Sequence, residues 1–131
     1  MTPLATLLNT LLLVAGLLAL IFGLGFLFAP GTLLPTYGIE SVPTTALMAR
    51  FFGAALVNLG VAVYLLRDVR DAAAQRGLVV GGVVGSAAGL GVALMGQLSG
   101  VVNALGWSTV AIYAALLLGY ASCLRTRPSG P

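Results

Sequence analysis

The chain contains no histidine, no lysine and a single cysteine, Cys123. These absences remove imidazole-ligated haem, ordinary zinc sites, Cys-His nucleophilic chemistry and any intrachain dithiol–disulfide cycle. Charge is equally scarce. Only 7% of the 131 residues are charged, and the acidic side chains are three: Glu40, Asp68 and Asp71. A soluble domain of this size needs a polar shell that so few charges cannot supply. What is present instead is apolar: 60% of the residues are hydrophobic, and the mean hydropathy is +1.10. Long apolar stretches with few charges are the mark of an integral membrane protein, and no room is left for a second, soluble domain.

Four apolar runs are long enough to cross a hydrocarbon core of roughly 30 Å at about 1.5 Å per helical residue. They cover residues 4–29, 45–66, 77–98 and 104–124. The first is closed by Pro30-Gly31, a pair that stops helices. It is read as a span and not as a signal peptide, because it lacks a basic leading segment and its apolar run is too long. The expected fold is all-α, an integral membrane four-helix bundle forming one domain.

Arginine placement sets the expected orientation. Arg67, Arg70 and Arg76 lie in the connection after the second run, and Arg125 and Arg127 lie in the tail. The connections 30–44 and 99–103 contain no arginine. By the positive-inside rule the arginine-bearing side is cytoplasmic, which puts both termini inside. The six arginines, most of them beside apolar runs, are explained by this topology and not by a nucleic-acid-binding face.

Two further patterns stand out. Gly77, Gly81, Gly85 and Gly89 recur every fourth position in the third run, and Ala93 continues the series. Such a ribbon allows close backbone approach between helices in lipid, where dispersion and not hydrophobic force drives association. Packing within the chain's own bundle is the expected use; dimerisation or docking on a larger membrane complex is the alternative. A short echo, "GLG" at 23–25 and again at 89–91, fits two parallel helical hairpins.

The second pattern is Arg50, a guanidinium inside an apolar run. On a helical wheel it shares its side with Ala46, Gly53, Ala54 and Val57, with Asn58 at the edge, so it is expected to point into the bundle and to need a partner. Glu40 is the one acidic residue on the outer side, and an Arg50–Glu40 pair would pin the 30–44 loop. The competing reading makes Arg50 part of an outward-facing pocket for an anionic or carbonyl-bearing ligand, with Tyr37, Asn58, Gln97, Asn103 and Trp107 as wall residues. Tyr37 and Trp107 also suit the aromatic belt of a membrane interface. Asn9 is expected to donate a hydrogen bond between helices.

"GLGFLFAPGTLLPTYGIE" followed by "ARFFGAALVNLGVAVYLL" resembles the small four-helix DoxX-like membrane proteins, in particular their branch of unknown function. The features shared are a glycine-rich first run closed by Pro30, then Tyr37-Gly38-Ile39, Arg50-x-x-Gly53 and Gly60. The resemblance covers residues 10–66 and, more loosely, the remainder. It implies a quinone-associated or accessory component of a larger membrane assembly, in a bacterial inner (plasma) membrane. The absence of histidine and of a cysteine pair departs from a redox role. A quinone site built from Arg50, Tyr37 and Asn58 would need only hydrogen-bond donors and apolar walls. With no nucleophile–base pair, carboxylate pair or metal set, the expected function is that of a non-catalytic accessory or structural subunit without a cofactor. The alternative is a binder or transporter of a small apolar ligand such as a quinone or lipid. The expected partners are therefore the lipid bilayer, larger membrane subunits or further copies of the chain, and not nucleic acid.

Overall fold

A computed structural model describes residues 3–125. Arg127 lies outside them. The described residues form five helices and no strand: α1 (Pro3–Phe28), α2 (Pro30–Thr36), α3 (Pro43–Leu66), α4 (Ala72–Leu98) and α5 (Gly106–Arg125). All but α2 are long and apolar enough to cross a membrane. In lipid a helix satisfies its own backbone hydrogen bonds, so these segments need no outside partner for their peptide groups.

Two boundaries differ from expectation, each for a local reason. Pro30 ends α1 and also begins α2 as its first residue, where the missing proline N–H is one the helix would leave unbonded anyway. The 30–44 connection is therefore partly helical. The third run starts five residues earlier than its apolar pattern indicates, at Ala72, because Asp71 caps it: Asp71 Oδ2 accepts the Ala74 N–H at 2.8 Å. Asp71 thus serves as the N-cap of α4.

The chain runs up and down, with principal contacts in the order α3–α1–α5–α4. One end, here the near end, carries the start of α1, the α3–α4 connection and the end of α5. The far end carries α2 and the α4–α5 connection. Leu4, Leu8 and Leu12 of α1, Val63 of α3, Val79 of α4, and Tyr120 and Cys123 of α5 form a buried cluster in the near half. Leu8 and Leu12 are the most enclosed, at 1% and 0% exposure. Cys123 is buried in this cluster as a free thiol.

Glycines hold each hairpin together, and their period is seven. In α1 and α3 the antiparallel pairs are Gly16 with Gly60 and Gly23 with Gly53. A Cβ on Gly23 would stand 2.9 Å from the Val57 nitrogen and 3.0 Å from the Gly53 oxygen; one on Gly53 would stand 2.6 Å from the Leu27 nitrogen. The two backbones touch, and nothing larger than hydrogen fits between them. In the second hairpin Gly82 receives the Tyr120 ring and Gly89 receives the Tyr113 ring. A seven-residue repeat keeps a seam facing its partner along two long helices.

The ribbon of four-residue period does not do this. Gly77, Gly81 and Gly85 have open space where a Cβ would be; only Gly89, which also belongs to the seven-residue series, packs inside the chain. The expectation that the ribbon packs within the bundle is corrected accordingly. A series advancing by four winds about 40° per step around the helix, so only one of its members lies over α5.

Candidate functional site

The residues singled out by sequence do not converge on one site. α3 buries Ala49, Gly53, Gly60 and Val63 against α1. Arg50 lies on the flank of that line and is exposed; Asn58 lies roughly 140–160° around the helix from Gly53 and Gly60, on the side turned away from the protein. The wheel groups Arg50 with Gly53 correctly, but the buried line runs through Ala49 and Gly60. That turns the guanidinium outward and not into the bundle.

Arg50 and Glu40 do not form the expected clamp. Both are exposed, and among the described residues the one ion pair is Arg67–Asp68, at 3.7 Å and the opposite end. The loop is held by neutral groups instead. Thr45 Oγ1 accepts the Val42 N–H at 3.0 Å and lies 2.8 Å from the Glu40 carbonyl oxygen, to which it donates. Asn103, from the α4–α5 connection, supplies the longer-range tie. Its Nδ2 donates to the Thr36 carbonyl at 3.0 Å, its backbone N–H donates to the Tyr37 carbonyl at 3.0 Å, and its Oδ1 accepts the Leu105 N–H. Gly38 makes the approach possible. Its φ of +77° suits glycine, and a Cβ there would press on Asn103 Cβ at 3.2 Å.

Tyr37 is half-buried beside this tie, with its carbonyl engaged. Gln97 also turns toward Asn103, donating to its carbonyl at 3.2 Å, while Gln97 Oε1 is buried against Gly106 without a donor. Trp107 is half exposed at the same end, as an interface aromatic would be. Thus Tyr37, Gln97 and Asn103 belong together as a clasp between connections, whereas Arg50 and Asn58 face away on α3.

A matching polar cluster closes the near end. Asn9 Nδ2 donates to Asp68 Oδ1 at 2.5 Å and to the Arg67 carbonyl at 3.2 Å, so it ties α1 to the start of the α3–α4 connection and not, as expected, to another helix. Arg67 lies over the Tyr64 ring at 4.1 Å and donates to the Tyr64 carbonyl at 2.7 Å. Beside this end a cavity of about 290 Å³ is lined by Leu4, Gln75, Arg76, Val79, Cys123 and neighbouring residues. It stands at the opposite end of the helices from Arg50.

The depth of the two α3 residues separates them. Arg50 is seven residues from the start of α3, about 10 Å along it, and helical side chains lean toward the N-terminus. Its guanidinium therefore lies toward the far end of the helix. Asn58 is exposed about 5 Å past the middle of α3, and its amide has no hydrogen bond among the described residues. A polar amide left unpaired in hydrocarbon is costly, which makes an exposed asparagine in the middle of an apolar helix a candidate contact. Among the described residues no group of three or more histidine, cysteine or acidic side chains could hold a metal ion. No family model, curated protein or solved structure matches the chain.

Proposed function

We propose that the chain is a non-catalytic membrane protein serving as an accessory or structural subunit of a larger assembly, in a bacterial inner membrane with both termini cytoplasmic. The observation that carries this reading is that both flanking helices of the α3–α1–α5–α4 row turn association-prone surface outward. α3 presents the unpaired Asn58 amide, and α4 presents the open positions Gly77, Gly81 and Gly85. In lipid, small residues permit close helix approach, and an outward-facing amide can gain its missing hydrogen bond from a neighbouring helix. The DoxX-like resemblance of residues 10–66 points the same way, toward an accessory component. The orientation rests on Arg67, Arg70, Arg76 and Arg125, all at the near end, with the far-end connections free of arginine.

A binder of a quinone or lipid at Arg50 is the second reading. It draws on Arg50 as a free cation near the interface, and it needs Tyr37 and Asn58 on the same wall. Tyr37 sits in the clasp while Asn58 faces away from the protein, so the accessory reading is preferred.

Mass spectrometry of the protein extracted gently from its native membrane, with bound subunits and lipids retained, tests the proposal. Stoichiometric further subunits are expected. A lone protomer or homo-oligomer carrying a reproducible quinone or lipid would replace it with the binder.

A further inference from the structure

We infer that one partner is a second copy of this chain, docked in parallel through the outward face of α3 with the two Asn58 amides hydrogen-bonded to each other across a two-fold axis. This rests on the accessory reading and names the partner for one of its two surfaces.

The face is continuous. Leu47, Phe51, Ala54, Asn58, Val61 and Leu65 follow one another at alternating spacings of four and three, and every one is exposed, Phe51 at 63% and Leu65 at 70%. That alternation is the seam of a helix pair, and it extends about 21 Å from Phe51 to Leu65. Asn58 occupies its middle.

An asparagine amide is its own complement, with a donor and an acceptor on the same group, so a two-fold axis through this position satisfies both copies at once. Two copies inserted in the same orientation place their Asn58 residues at the same depth. A chain of different sequence would need a matching polar group at that depth. A single asparagine in an otherwise apolar seam also fixes register, because any slip leaves two amides unpaired in hydrocarbon.

The charges fit the same arrangement. Arg50 stands on the flank of the seam, where a parallel helix pair puts it opposite the partner's Ala55 position and away from the second Arg50.

Disulfide mapping in membranes tests this, using the full chain with Cys123→Ala as background. Phe51→Cys and Leu65→Cys should give cross-linked dimers on mild oxidation, and Leu118→Cys on the exposed face of α5 should not. Adding Asn58→Leu should weaken dimerisation by about 10-fold, whereas Asn58→Gln should retain it. Far-UV circular dichroism should be unchanged in both, since position 58 lies outside the chain's own packing. Equal cross-linking at Phe51, Leu65 and Leu118, or dimers indifferent to Asn58→Leu, would overturn the inference. Cross-links from Phe51→Cys to a different subunit would overturn the second copy while sparing the accessory reading. A chain that is monomeric and partnerless after gentle extraction would overturn both.

Discussion

Gly53→Ala should destabilise the protein and Gly81→Ala should not, although both place one methyl group on a glycine within an apolar span. At Gly53 the new Cβ would stand 2.6 Å from the Leu27 nitrogen, 2.7 Å from the Gly23 oxygen and 3.0 Å from the Phe26 carbonyl carbon. All three are backbone atoms that no rotamer change can withdraw. Relief requires α1 and α3 to separate by about 1 Å, and overpacking of that kind costs about 1–3 kcal/mol. Alanine recovers about 1 kcal/mol through its helix propensity, leaving a net loss of up to about 2 kcal/mol. At Gly81 no atom of the chain lies within 4 Å, so in the dissociated protomer only the propensity remains and stability should rise by up to about 1 kcal/mol. The propensity gain is common to both, so the two variants should differ by the overpacking cost, about 1–3 kcal/mol, with Gly53→Ala the less stable. Reversible unfolding in mixed detergent–SDS micelles, followed by far-UV circular dichroism, measures this. Equal midpoints, or a Gly81→Ala variant less stable than Gly53→Ala, would refute the assignment of the seven-residue glycines to the interior seam.

Asn103→Ala removes the side-chain bonds to Thr36 and Leu105, and should speed amide hydrogen exchange around 36–39 and 103–106 with a loss of about 1–3 kcal/mol locally. Gly38→Val, forced to a positive φ beside Asn103, should loosen the same segments by at least 1–2 kcal/mol, roughly the strain of a left-handed non-glycine residue. Asn9→Leu should lower unfolding stability by about 0.6 kcal/mol, the usual worth of a polar interhelical contact in a membrane protein, read in the same SDS titration. In dissociated monomers, reversing Arg50 and Glu40 singly and together should give a double-mutant coupling below about 0.5 kcal/mol, as for groups that do not interact.

The four spans were legible because lipid imposes length and apolarity on each segment separately, with little dependence on tertiary context. The short helix α2 was not, since Pro30 signals a stop and a start in the same way and seven residues carry little pattern. For the glycines the period decided the outcome. Gly77, Gly81 and Gly85 form the more conspicuous series, yet Gly16 with Gly23, and Gly53 with Gly60, recur on the repeat that two long packed helices need. A scan for glycine pairs seven apart in consecutive spans would have found the seam. Arg50 was misplaced because its wheel neighbours are small on two sides of the helix, and small residues alone do not mark which side is buried. Asn103 was recognisable as polar and at the right end. Its role depends on backbone carbonyls at Thr36 and Tyr37, and these have no side-chain signature.

Whether the outward face of α3 meets lipid or protein is the most direct test of the proposed assembly. A nitroxide at Val61→Cys, in the Cys123→Ala background with Asn58 intact, reports this through its collision rate with dissolved oxygen in native-like membranes, with Leu118→Cys as a control at similar distance from the near end of its helix. A low rate at Val61 is expected, rising toward that of the Leu118→Cys label when Asn58→Leu is added. A rate at Val61 as high as at Leu118 with Asn58 intact would mean that this face is bathed in lipid, and would contradict the proposed assembly.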